Sequence, residues 1–180
     1  MEIRDTAIPG CHTVHPAVHS DARGTLVKPF AESAFAAAGL PTRFPEVFVS
    51  RSRRGVVRGL HFQVPPAPQA KLVTCVAGEV LDVVVDVRAG SPTHGRHVTC
   101  TLSADDGVAL FVPVGLAHGF AVLSAEATVA YLGTAEYVPG TDGGIRWDSA
   151  GISWPFDSPV LSDRDAALPA LDGFASPFSW

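Results

Sequence analysis

Seventeen glycines and fifteen prolines are spread along 180 residues, and they cut the apolar sequence into short runs. Short runs punctuated by turn residues are the material of all-β folds. The clearest run is 81–87, where Leu81, Val83, Val85 and Val87 share one face and Asp82, Val84 and Asp86 the other. The same reading predicts strands at Val47–Ser52, Leu72–Ala77, His97–Leu102, Ala109–Val112, Phe120–Leu123 and Thr128–Tyr137. Gly78-Glu79 and Ala104–Gly107 are expected to turn hairpins. Pro113-Val114-Gly115 reads as another tight hairpin, one that brings His118 to a cavity mouth, with Gly119 permitting close approach of a ligand. Two short helices are expected. Ala31–Ala38 is alanine-rich and stops at Gly39, and Ser162–Ala167 has Ser162 as cap and Asp163 in its first turn. The stretch holding His12, His15 and His19 reads as irregular. The sum is one all-β domain over residues 1–180, a sandwich or jelly-roll β-barrel with short flanking helices and its core at about 45–140. Such barrels bury ligands between inward-facing side chains.

Composition narrows the partners. A hydrophobic content of 47% describes a compact, ordered chain. A net charge of −5 argues against nucleic acid. The one basic cluster, Arg51, Arg53 and Arg54, reads as a solvated turn or, more sharply, as a phosphate-binding edge. Cys11, Cys75 and Cys100 are widely spaced with no CxxC, which predicts reduced structural thiols and a cytoplasmic location. Met1–Asp5 is charged where a secretory leader is apolar. No run approaches the roughly 18 apolar residues that span a bilayer, so no membrane partner is expected.

The chemistry-bearing residues cluster around Arg58-Gly59-Leu60-His61-Phe62-Gln63. A lone strand histidine is commonly a satisfied core or surface residue. Here Arg58 precedes His61 by three positions and Gln63 shares its face in an extended strand, and imidazole exchanges protons near neutral pH. Lys71 follows a proline-rich loop, as either a solvated strand end or a fixed cation that stabilises an enolate oxygen. Tyr131, one of two tyrosines, is either core packing or a general acid across a cavity from His61. Asp165 is either part of a surface turn or the carboxylate that orients His61. Together these suit proton abstraction beside a carbonyl on a phosphate-bearing substrate. No metal is expected: Gln63 stands where a second ligand histidine is wanted, and His94 and His97 lie by a separate turn. No other cofactor is expected, since the chain lacks a Gly-rich phosphate loop, a nucleophile elbow and a Cys/His catalytic pair.

Several spaced segments carry a family likeness: Asp21-Ala22-Arg23-Gly24, Arg58–Gln63, Lys71-Leu72-Val73, Gly78–Arg88, Ser91-Pro92-Thr93, Pro113–Phe120 and Ser162–Asp165. Over about residues 20 to 170 the chain resembles the dTDP-4-dehydrorhamnose 3,5-epimerase family. The resemblance implies a cupin-type jelly roll that uses no metal, a homodimer whose N-terminal strands cross to the partner, and a nucleotide-diphosphate 4-keto-6-deoxyhexose as substrate. It implies that His61 removes the proton at C3, and at C5 in full family members. Asp165 is then its dyad partner, Lys71 stabilises the C4 enolate and Tyr131 returns a proton from the opposite face. Arg23, Arg58 and His118 hold the diphosphate, and Gln63 is counted among the substrate contacts.

The chain also departs from the family pattern. Lys28 stands where an acidic residue is usual, and Glu46-Val47-Phe48 replaces Gln-x-Asn before Ser50-Arg51-Ser52. Those positions serve the nucleotide base, so dTDP and CDP carriers both stay open. So does epimerisation at one centre, C3 or C5, in place of two. A non-catalytic sugar-nucleotide binder and a metal-dependent cupin oxygenase are the rivals from other classes.

Overall fold

A computed structural model describes all residues 1–180. Thirteen strands and two short helices follow one another: β1 (Glu2–Asp5), β2 (His12–His15), β3 (Val18–Asp21), β4 (Gly24–Val27), α1 (Glu32–Ala37), β5 (Glu46–Arg53), β6 (Val57–Gln63), β7 (Lys71–Ala77), β8 (Glu79–Asp86), β9 (His97–Ser103), β10 (Ala109–Val112), β11 (Leu116–Val122), β12 (Glu126–Gly133), β13 (Asp142–Gly144) and α2 (Asp163–Ala166). They build an antiparallel sandwich. One sheet runs β1-β2-β10-β7-β12-β5, the other β13-β6-β11-β8-β9, and β3 and β4 form a separate hairpin.

Three apolar layers result. Between the sheets lie Val73, Cys75, Val80, Val84, Leu110, Phe120, Val129 and Tyr131, among others. The outer face of the five-stranded sheet carries Leu60, Phe62, Val83, Val85 and Val87, covered by Ile145, Phe178 and neighbours from the C-terminal segment. The outer face of the six-stranded sheet, with Leu72 and Phe111, is covered by Phe35 of α1. β8 is therefore buried on both faces, and its alternation separates two cores rather than core from solvent.

The expected strands are present, with differences that have physical reasons. Gly78-Glu79, Ala104–Gly107 and Pro113–Gly115 do not close hairpins. Each carries the chain from one sheet to the other, because β7 and β10 belong to the six-stranded sheet while β8, β9 and β11 belong to the five-stranded one. Gly78 has φ +76°, and a Cβ there would strike the Glu126 carbonyl oxygen. It is therefore a corner residue, and turn composition alone does not separate a corner from a hairpin. β11 begins at Leu116, ahead of the expected Phe120, since Gly119 does not interrupt it. β12 spans Glu126–Gly133 and ends well before Tyr137. The N-terminal stretch is not irregular: β2 pairs with β10, and His19 lies in β3. The strands of the two sheets thus extend beyond 45–140 at both ends, from Glu2 to Gly144.

Candidate active site

Two glycines set the local geometry. Gly59 on β6 has φ +134°, and a Cβ there would lie 2.6 Å from the Gly119 Cα; a Cβ on Gly119 would lie 2.5 Å from the Arg58 carbonyl oxygen. Only a pair of glycines permits this approach. The register of β6 against β11 shifts here, and His61 and His118 become direct cross-strand partners. Both histidines open into a cavity of about 300 Å³ between the sheets. Arg58, His61, His118, Gly119 and Phe120 line it from one sheet, and Phe48, Ser50 and Tyr131 from the other, with Arg164 of α2 at the edge.

His61 is held from behind. Its Nε2 lies 2.8 Å from Asp165 Oδ1, and Asp165 Oδ2 accepts the Gly59 N–H at 3.1 Å. Asp165 is placed by its own helix turn, where the Ser162 hydroxyl oxygen accepts the Asp165 N–H at 3.1 Å. Burial pushes the Asp165 carboxyl up, but the His61 hydrogen bond and charge and the Gly59 N–H outweigh it and hold it below the usual carboxylate range. An ionised Asp165 fixes the proton on Nε2 and leaves Nδ1 as the nitrogen able to accept one.

His118 forms a second dyad. Its Nε2 lies 3.0 and 2.9 Å from the two oxygens of Asp82, and both residues are buried. His118 thus sits in the cavity floor and not at its mouth. Burial raises the Asp82 carboxyl and the His118 charge opposes that rise. The pair sets a buried imidazole against a buried carboxylate at the cavity wall.

Tyr131 faces the histidines from the opposite sheet, its ring 6.0 Å from that of His118 and near perpendicular to it. Its hydroxyl lies 3.5 Å from Ser50 Oγ. Burial pushes the phenol well above its ordinary range, with the Ser50 contact opposing weakly, so the group keeps its proton. Lys71 shares the inward row of β7 with Val73, the residue registered against Tyr131. Two residues of strand place it about 7 Å along the sheet from that level. Burial lowers its ammonium, and the charges of Asp142 and Asp82 oppose this. Those carboxylates are committed elsewhere, Asp142 to Arg164 at 2.6 Å and Asp82 to His118. Lys71 is therefore a cation without a dedicated counter-ion.

Two expected residues stand apart. Gln63 is buried away from the cavity: its amide N–H groups donate to the Ala67 and Glu136 carbonyls at 3.1 and 3.4 Å, and its oxygen accepts the Val138 N–H at 3.0 Å. All of its bonding capacity goes to tying two loops together, and none is left for a substrate. Arg23 caps the β3–β4 hairpin, paired with Asp21 at 2.5 Å, beside an open cleft of about 410 Å³ made of that hairpin alone. In its own chain it does not line the histidine cavity. Sequence reading missed Asp82 and Arg164 as parts of the site, and it gave the Phe48 and Ser50 positions to the nucleotide base, whereas both line this cavity beside Tyr131. Asp82 carried a signal, since it is an acid in the middle of the apolar run from Val80 to Val85. No group of three His, Cys, Asp or Glu side chains converges as metal ligands do, and no helix is long and apolar enough to cross a membrane.

Comparison with known proteins agrees with this geometry. Residues 5–173 match the family model described as dTDP-4-dehydrorhamnose 3,5-epimerase. The chain is 43% identical to the dTDP-4-dehydrorhamnose 3,5-epimerase of Shigella flexneri, covering 92% of this chain and 93% of that one. Its structure superposes with a TM-score of 0.92 on a 4-keto-6-deoxy sugar epimerase from the novobiocin biosynthetic gene cluster of Streptomyces spheroides, at 41% identity over 96% of this chain and 88% of that one. It also superposes, with a TM-score of 0.90 and 39% identity over 95% of this chain and 93% of that one, on the Legionella pneumophila dTDP-6-deoxy-D-glucose-3,5-epimerase solved with dTDP-4-keto-L-rhamnose. With a jelly roll of this topology and a match over nearly its whole length, the chain belongs to the dTDP-4-dehydrorhamnose 3,5-epimerase family of carbohydrate isomerases.

Proposed function

We propose that the protein epimerises a nucleotide-linked 4-keto-6-deoxyhexose, as a 3,5-epimerase of the dTDP-4-dehydro-6-deoxyglucose type, by taking and returning protons beside the C4 ketone. The observation that carries this reading is the opposition of a carboxylate-backed imidazole, His61, and a protonated phenol, Tyr131, on facing sheets of one cavity. Epimerisation requires removal of a proton from one face of a carbon and delivery to the other, and this arrangement supplies an acceptor and a donor on opposite walls.

The steps follow from the residues. His61 Nδ1 takes the C–H proton while the C–H electron pair moves into the bond to C4 and the carbonyl pair onto oxygen. Lys71 stabilises the resulting enolate, and the buried phenol of Tyr131 protonates the carbon from the other face. The imidazolium, stabilised by Asp165, and the phenolate then exchange protons with water. Arg58, oriented by the Ser52 hydroxyl at 2.9 Å, and the His118–Asp82 pair are the groups suited to the diphosphate.

Arg23 fits this scheme in a homodimer. The β3–β4 hairpin is exposed throughout except at Val27, and β5 is an open sheet edge on which Val47 and Val49 are 64% and 65% exposed. Unpaired apolar edges require cover. A hairpin from a second copy would bring Arg23 to this cavity. A cytoplasmic location is the reading supported by three free thiols.

Proton NMR of the protein with dTDP-4-keto-6-deoxyglucose in deuterated water tests the reading. Loss of both the C3 and C5 signals is expected, and loss of one alone assigns a single-centre epimerase. No exchange with either a dTDP- or a CDP-linked sugar would overturn it.

A further inference from the structure

Phe48 lies on edge strand β5, registered directly against Tyr131 on β12. Its ring stacks on the Tyr131 ring with centroids 4.5 Å apart and planes 8° from parallel. On another side Tyr131 meets the His118 ring nearly edge-on. The phenol is thus gripped by two rings, while its hydroxyl has only one distant partner, Ser50 Oγ at 3.5 Å, two residues along β5 from Phe48. A single long hydrogen bond does not fix the direction of a phenol; a parallel ring at contact distance does fix its plane. Phe48 is 40% exposed and Tyr131 only 6%, so Phe48 is also what stands between the phenol and the solvent on that side. The same inward row of β5 continues the pattern, with Ser52 holding Arg58 by its Nε at 2.9 Å.

We propose that Phe48 is a positioning residue for the reaction: its ring aims the Tyr131 hydroxyl at the reacting carbon and keeps water from the face on which Tyr131 delivers its proton. The inference rests on Tyr131 being the proton-returning acid. A misdirected or wetted phenol leaves the His61 side able to remove and restore protons, so the enolate still forms. What fails is delivery to the opposite face. The expected signature is a changed partition between exchange and inversion, distinct from a general loss of activity.

The test measures deuterium exchange and epimer formation together for wild type, Phe48→Ala, Phe48→Tyr, Tyr131→Phe and the double variant Tyr131→Phe/Phe48→Ala. Phe48→Ala should lower the ratio of epimerisation to exchange on the order of tenfold, mainly in kcat, as expected when a reacting group is displaced by a fraction of an ångström. Phe48→Tyr, which keeps the flat ring, should restore the ratio. The double variant should lose no more than Tyr131→Phe alone, because Phe48 acts only through the phenol. A Phe48→Ala protein with an unchanged ratio, a loss confined to KM, or an additive double variant would overturn the inference and make Phe48 a wall of the substrate site. If Tyr131→Phe itself leaves epimerisation intact, the assignment of the acid fails, and the position of Phe48 is not the cause.

Discussion

Asp82 and Asp86 stand four residues apart on the same inward row of β8, and both are completely buried. They differ in their donors, and Asp82 lies deeper in the sandwich. Asp86 accepts the Arg88 backbone N–H, the Arg88 Nε and Nη2 groups, and the Ser91 and Thr93 hydroxyls, all within 2.9 Å. Burial pushes its carboxyl up, but these donors overcome that and hold it at about 2. Asp82 has His118 alone, and burial keeps its carboxyl above the ordinary value. A saturated carboxylate has no capacity left for chemistry and becomes a fixed strut. Arg88 extends that strut to the Pro9 carbonyl at 3.2 Å and stacks 4.4 Å from the Trp180 ring, so Asp86 ties both chain ends to the sandwich. A carboxylate with one imidazole partner keeps bonding capacity and orients that ring at the cavity. Neither residue reaches solvent; Asp82 lies deeper, and the number of donors is the larger structural difference between them.

The largest expected effect is on stability. Asp86→Asn leaves the buried Arg88 unpaired and should cost about 3–5 kcal/mol in urea unfolding. The pH dependence follows the same logic. With a folded value near 2 against an ordinary 3.8, Asp86 contributes about 2–3 kcal/mol that is fully present above about pH 4 and lost as pH falls through 2. Asp82 acts with the opposite sign, its contribution declining as pH rises from 3.8 through its raised folded value. Asp86→Asn should shrink the acid-side loss, leaving the part that Asp165 contributes, and an unchanged acid limb would locate the loss elsewhere.

Asp82→Asn should separate the two acids. It keeps a hydrogen-bond acceptor for His118 but removes the counter-charge, so kcat/KM should fall about 10–100-fold, a change of about 1.4–2.7 kcal/mol, with unfolding free energy altered by about 1 kcal/mol or less. A Asp82→Asn protein as unstable as Asp86→Asn would break the comparison. The smallest effect is at the end of the strut. Trp180→Ala should cost about 0.5–1 kcal/mol through the lost cation–π contact, with kcat/KM unchanged; no stability change would make the stacking on Arg88 energetically idle.

Much of this was legible in the sequence because β periodicity and turn residues are local. The two-face alternation of β8, the α2 cap at Ser162 and the pairing of His61 with Asp165 are all visible as motifs or as family likeness. The three sheet-to-sheet corners were not legible, since a corner and a hairpin use the same glycines and only the packed sheets distinguish them. The β2 strand, with two histidines among its four residues, lacks an apolar alternation and is recruited by pairing with β10. Gln63 shares the face of His61 as the strand period requires, yet sharing a face does not determine what a side chain bonds to. Family likeness gave the Phe48 and Ser50 positions to the nucleotide base, but their contact with Tyr131 comes only from register with β12, information that no single segment contains.

His61, oriented by Asp165, is the base on which proton removal depends. The direct measurement is deuterium incorporation from deuterated water into dTDP-4-keto-6-deoxyglucose by His61→Ala, with nucleotide-sugar binding followed by calorimetry on the same sample. Binding should be retained and exchange reduced at least about 10²-fold, the lower end of what a positioned acid–base group contributes. Exchange at the wild-type rate with binding intact would contradict it and remove His61 from the reaction.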